Sequence, residues 1–169
     1  AERFGVAIEP HRPGPPLPLP TPEHLSEREQ VLHAVVAFCC ITETLNSAML
    51  VEVLRTAVCP HVRQATQQLL TDEVQHSRMG WAHLAAEQAH GVAFLSDYIG
   101  DIVLDAGVPE IFDDSRAVRE GSTLAAYGEL SFDRRTTLFQ VAMRDVIWPG
   151  FEAMGIDTGA AKVRIADYL

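Results

Sequence analysis

Proline placement constrains this chain more than any other feature. Seven of the ten prolines fall between Pro10 and Pro22, and from Ser26 to Val58 there is neither proline nor glycine. Proline fixes φ and removes a backbone donor, so the stretch 10–22 is extended and cannot join a helix. At about 3.1 Å per residue it could reach roughly 40 Å. It reads as a flexible tail, a strap across a neighbouring surface, or a linker from an upstream segment; Ala1 in place of an initiator Met suggests a trimmed or partial chain. We take 1–25 as this arm and 26–169 as a helical domain.

After the arm, helix signals follow one another. Ser26 with Glu29 three residues later has the spacing of a capping box. Apolar residues then dominate, which predicts one long helix over 27–57, broken at Cys59-Pro60. A second helix is expected from Pro60 to His90, stopped by Gly91. A shorter helix is expected over 92–106, ended by Gly107-Val108-Pro109, followed by turn-rich sequence to 122 and a weak helix over 124–130. A last helix starts near Ser131, is kinked or broken at Pro149-Gly150, and ends near Gly155. The tail 156–169 is left without an element. No strand alternation and no repeat is visible. The expected fold is all-α, a bundle built on a long antiparallel hairpin (27–90) with C-terminal helices over 92–155.

Composition narrows the function classes. The 169 residues suit one domain. A net charge of −10 argues against nucleic acid or an anionic membrane as partner. Three cysteines, two of them adjacent, cannot build a disulfide framework and fit a reducing, cytoplasmic setting. The longest apolar stretch, Val31 to Ile41, is about 11 residues and contains His33, against the roughly 20 that span a bilayer. No basic segment precedes an apolar one near Ala1, so no signal peptide is expected.

The chemistry sits on the hairpin. Glu73 and His76 are spaced i, i+3 and project from one side of the second helix. Val62, Thr66, Leu69, Gly80 and Leu84 fall within about 40° of Glu73, so this carboxylate is centred on an apolar face. Glu43 is flanked in the same way by Leu32, Val36, Cys39, Ser47, Leu50 and Leu54. Glu43 lies 15 residues before Val58 and Glu73 lies 15 after it. An antiparallel hairpin therefore brings them to one level, roughly 22 Å from the turn. Two carboxylates and an imidazole in an apolar layer need compensation. A divalent metal supplies it, and mixed oxygen and nitrogen donors suit iron or manganese. The bland reading is an internal salt bridge or a satisfied core histidine, since Glu-x-x-His spacing alone is common. A second copy of it, Glu87 to His90, reads as a solvated helix terminus.

The strings Cys40-Ile-Thr-Glu43-Thr and Asp72-Glu73-Val-Gln-His76-Ser-Arg-Met-Gly-Trp81-Ala resemble a half-bundle of the ferritin-like, di-iron carboxylate superfamily. The resemblance covers about 29–86 and is weak after Gly91. It implies that Glu43 is a terminal carboxylate ligand, Glu73 a bridging carboxylate and His76 the imidazole ligand. Asp72 matches a residue that often hydrogen-bonds a ligand histidine. It further implies an oxygen-activating oxidoreductase holding iron, or iron with manganese, and acting on a small-molecule substrate.

A full site in that superfamily takes two such helix pairs, with four carboxylates and two histidines. This chain has one pair, and no histidine follows His90. The second half is expected from a second copy in a homodimer or from a partner half-chain. The first helix is also apolar opposite Glu43, at Ala34, Phe38, Ile41, Leu45 and Ala48. That face is covered either by the partner or by the C-terminal helices. Tyr98 and Tyr127 are candidate neighbours of the metal, with ordinary core-edge positions favoured. His33 and His83 mirror each other across the turn and could form a second polar layer, with solvent exposure or simple pairing favoured. Glu129 is read as a surface carboxylate, and Cys39 and Cys40 as small buried hydrophobes. Rival readings are a metal-free scaffold that serves oligomerisation, and a ferroxidase or iron-handling protein.

Overall fold

The computed structural model describes residues 21–112 and 123–169. The proline-rich arm up to residue 20 and the expected turn-rich stretch from 113 to 122 lie outside them. The described residues form an all-helical bundle with no β-sheet. Helix α1 spans Glu27–Thr56 and α2 spans Pro60–Glu87, extended by a 3₁₀ turn Gln88–His90. Helix α3 covers 99–112 after a 3₁₀ segment Ala93–Asp97. Helix α4 covers 132–153, and α5 is Gly159–Arg164.

The capping box forms. The Glu29 carboxylate accepts from the Ser26 N–H at 2.9 Å, and the Ser26 hydroxyl oxygen accepts from the Glu29 N–H at 3.4 Å. At the other end of α1, the turn at Ala57–Cys59 is closed from outside. The N–H groups of Val58 and Cys59 both donate to the Ala126 carbonyl, at 3.1 and 3.2 Å. Ala126 lies in a 3₁₀ segment, Thr123–Tyr127, where a weak helix is expected. Contacts between α1 and α2 run in opposite order along the two helices: Arg28 with Glu87, then Glu43 with His76, then Arg63 with the Leu54 carbonyl. The pair is therefore antiparallel.

Among the described residues three helices contain a π turn: Val36–Thr42 in α1, Val103–Gly107 in α3 and Met143–Ile147 in α4. Each of these helices buries a stripe stepping by four residues. The stripes are Leu32, Val36, Cys40 and Thr44; Ile99, Val103, Gly107 and Ile111; and Phe139, Met143, Ile147 and Phe151. In a plain α-helix three steps of four drift by about 120°, and the one extra residue of a π turn takes back about 100° of it. The π turns keep these stripes straight.

They also overturn two expected helix ends. Gly107-Val108-Pro109 does not stop α3, and Pro149-Gly150 does not break α4. Val108 donates its N–H to the Val103 carbonyl and Trp148 donates to Met143, both five residues back. Each proline follows directly, where the hydrogen-bond ladder is already changing pattern and a missing donor costs least. Gly107 serves close packing, not termination. A Cβ there would lie 3.2 Å from Leu45 Cδ1 and 3.7 Å from Phe139 Cε2. The C-terminal tail, left without an element from sequence, folds as α5 and a 3₁₀ turn Ala166–Tyr168.

Helix α1 is the centre of the bundle, packed by α2, α3 and α4. It is long and apolar enough to cross a membrane by length and composition; here that apolarity is used against three neighbours. Ile41 and Leu45, on the face opposite Glu43, are buried by the C-terminal helices, while Phe38 stays exposed. No partner chain is needed to cover Ile41 and Leu45. Glu52 ties α1 to α4 through Arg134 at 2.8 Å.

Candidate metal centre

The π turn of α1 ends where the site begins. The Glu43 N–H donates to the Phe38 carbonyl, five residues back, and the Thr42 hydroxyl donates to the Ala37 carbonyl at 2.9 Å. This wide turn sets the rotation at which Glu43 leaves the helix. On α2, the i, i+3 spacing of Glu73 and His76 places both on the side facing Glu43.

The three side chains converge. His76 Nδ1 lies 3.6 Å from Glu43 Oε1 and 3.4 Å from Glu73 Oε2. One donor atom from each residue lies within 4.8 Å of the others. The two ion-pair distances exceed a normal N–H···O hydrogen bond. They match the separation of two ligand atoms that share a first-row metal, about 3–3.5 Å when each bond is about 2.1 Å. Glu43 Oε2 and Glu73 Oε2 are shut off from solvent and accept no hydrogen bond. Buried carboxylate oxygens left in this state are costly. The donor set, its spacing and its two orphaned oxygens all fit a divalent cation.

The electrostatics agree. Burial first, and then the neighbouring Glu73 carboxyl, pushes the Glu43 carboxyl up to about 7, while His76 and Asn46 pull the other way. Near neutral pH the metal-free pair thus holds Glu43 partly protonated, and a cation would displace that proton.

The cluster is less enclosed than the helical faces imply. The Glu43 and Glu73 side chains keep 21% and 22% of their exposure, and His76 keeps 53%. Leu69, one turn before Glu73, is 52% exposed, and Phe38 is also exposed. The cluster therefore lies along an open side of the α1–α2 pair. Asp72 is exposed beside it.

The remaining candidates fall elsewhere. Glu87 is held by Arg28 at 2.7 Å, with His90 exposed at 3.9 Å, as a helix terminus should be. His33 is buried, with its ring 6.0 Å from Tyr98, whereas His83 is exposed, so they form no layer together. Tyr98 hydrogen-bonds His24 at 2.8 Å, and Tyr127 is exposed. Cys40 is fully buried and Cys39 half-buried, and Glu129 is exposed, a surface carboxylate as expected.

Sequence reasoning gave no role to a second layer behind the cluster. The Thr44 and Ser77 hydroxyls lie 2.9 Å apart, and Trp81 Nε1 donates to Thr44 Oγ1 at 3.2 Å. The available signal was a hydroxyl directly after a ligand on each helix, Glu43-Thr44 and His76-Ser77. Comparison with family models, curated proteins and solved structures finds no match to this chain.

Proposed function

We propose that this chain is a ferritin-like metal protein whose Glu43, Glu73 and His76 form one half of a carboxylate-bridged site for iron, or for iron with manganese. The observation that carries this reading is the pair of orphaned, buried carboxylate oxygens beside an imidazole at ligand spacing. Glu73 is the bridging carboxylate, Glu43 the terminal one and His76 the neutral nitrogen donor. By the same resemblance, Asp72 supports a ligand histidine.

Three donors leave a metal pair short of ligands. The other half comes from a second copy or a partner half-chain seated on the open side, where His76, Leu69 and Phe38 are exposed. Such a metal pair, once bound, supplies Lewis-acid and redox chemistry toward dioxygen. The chain's own part is to hold two carboxylates and one imidazole at fixed spacing and to give up the Glu43 proton. The substrate of the resulting oxidoreductase is a small molecule or Fe(II) itself.

The test is metal per chain, measured by elemental mass spectrometry alongside native mass. About one iron or manganese per chain in a dimer is expected, with loss of both metals in Glu73→Ala. Protein that stays metal-free after anaerobic Fe(II) addition overturns the reading and leaves a scaffold.

A further inference from the structure

We infer that Trp81, Thr44 and Ser77 form the positioning element of the Glu43–Glu73–His76 site; this rests on the metal reading above. Thr44 follows Glu43 on α1, and Ser77 follows His76 on α2. Adjacent residues on a helix point about 100° apart, so each ligand has a hydroxyl beside it, turned away from the open side. The two hydroxyls join across the helices at 2.9 Å. Trp81 Nε1–H, which can only donate, fixes Thr44 Oγ1 from α2 at 3.2 Å.

Trp81 is itself held from a third direction. Its ring lies 5.0 Å from Phe151 of α4. A Cβ at Gly150 would approach two of its ring carbons to 2.7 Å, so glycine there lets α4 close directly on the indole. The order of support is therefore α4, Trp81, Thr44, Ser77. Thr44 is buried, so unmaking its hydrogen bonds cannot be compensated freely by water.

This arrangement fixes the axial register of α1 against α2. A slip of one residue moves a side chain by about 1.5 Å along the axis and 100° around it. Either change would undo the 3.4 and 3.6 Å spacing of His76 to the carboxylates. None of the three residues offers a donor to the metal; their effect reaches it through Glu43 and His76.

The experiment titrates Co(II), read by its visible ligand-field bands, into the metal-free 169-residue protein well below its melting temperature. Wild type is compared with Thr44→Val, Thr44→Ser and Trp81→Phe. Thr44→Val keeps the volume and removes the hydroxyl. We expect it to weaken Co(II) binding about tenfold or more and to alter the bands, with Thr44→Ser restoring both. Trp81→Phe keeps an aromatic ring and loses the N–H; it is expected to weaken binding several-fold and carries the test if Thr44→Val does not fold. Folded variants with wild-type affinity and spectrum overturn the inference while leaving the metal site standing. A wild type that takes up no Co(II) overturns the metal reading itself, and this inference with it.

Discussion

Gly80 of α2 lies so close to Cys39 of α1 that a Cβ on the glycine would overlap the Cys39 Cβ and stand 3.0 Å from the Cys39 carbonyl carbon. Cys39 is one turn before Glu43, and Gly80 is one turn after His76. The contact therefore closes one end of the layer that holds the cluster. Glycine is required here by proximity, not by its own backbone angles.

Gly80→Ala should force the two helices apart, because part of what the new methyl meets is backbone and cannot rotate away. Overpacking of this kind costs about 1–3 kcal/mol. Urea unfolding should show that loss, and metal affinity should fall with it. A variant within about 0.5 kcal/mol of wild type and with unchanged metal uptake would show that the helices yield without cost.

The Glu43 carboxyl sets a pH dependence in metal-free protein. Its folded value is raised to about 7 from 4.5. The folded state then binds more protons than the unfolded state between those limits, so stability falls as pH rises from 4.5 toward 7. Glu43→Gln should flatten that limb and stabilise the chelated protein at pH 8 by on the order of 1 kcal/mol. It should also weaken metal binding. Chemical denaturation of both chelated proteins at pH 5 and pH 8 reads the difference directly.

Which parts were legible in the sequence follows from what each signal encodes. The capping box at Ser26, the Cys59-Pro60 break and the equal spacing of Glu43 and Glu73 about Val58 are local or count-based, and each has its counterpart in the fold. Proline as a helix-breaking signal hides the continuity of α3 and α4, because a π turn precedes both Pro109 and Pro149. The sign of those turns was present as apolar residues stepping strictly by four, at 99, 103 and 111 and at 139, 143, 147 and 151. A plain helix would let those stripes drift off the core. The openness around Leu69 is hidden for another reason. Periodicity identifies an apolar face and does not say whether this chain supplies what covers it.

His33 should destabilise the fold in acid. It is 3% exposed, and its Nδ1 has no hydrogen-bond partner. Burial holds its pKa below the ordinary 6.5, while Asp105 and Asp101 act in the opposite direction. Below about pH 6.5 the unfolded chain takes up a proton that the folded chain resists, so stability drops as pH falls through that range. His33→Phe retains ring packing against Tyr98 and should remove this slope between pH 7 and pH 5. An unchanged slope in the variant would assign the acid sensitivity to other groups.

Glu52 should mark the next step down in pH. Its carboxylate is nearly enclosed and accepts from Arg55 at 2.7 and 2.9 Å and from Arg134 at 2.8 Å. These partners hold it down to about 2, the Arg55 hydrogen bonds most, then Arg134. Because the folded value lies below the unfolded 4.5, the stabilisation is complete above pH 4.5 and is lost as pH falls toward 2. Both arginines are more than a third exposed, so solvent screening reduces what the pairing contributes. Glu52→Gln should cost about 1–2 kcal/mol at pH 7 and little at pH 2. Arg134→Met removes only the link to α4, since Arg55 lies on the same helix as Glu52. If Arg134→Met loses as much as Glu52→Gln, the stabilisation resides in the tie between α1 and α4. If it loses almost nothing, Arg55 alone accounts for the depressed carboxylate, and the bundle is held at this level by apolar packing.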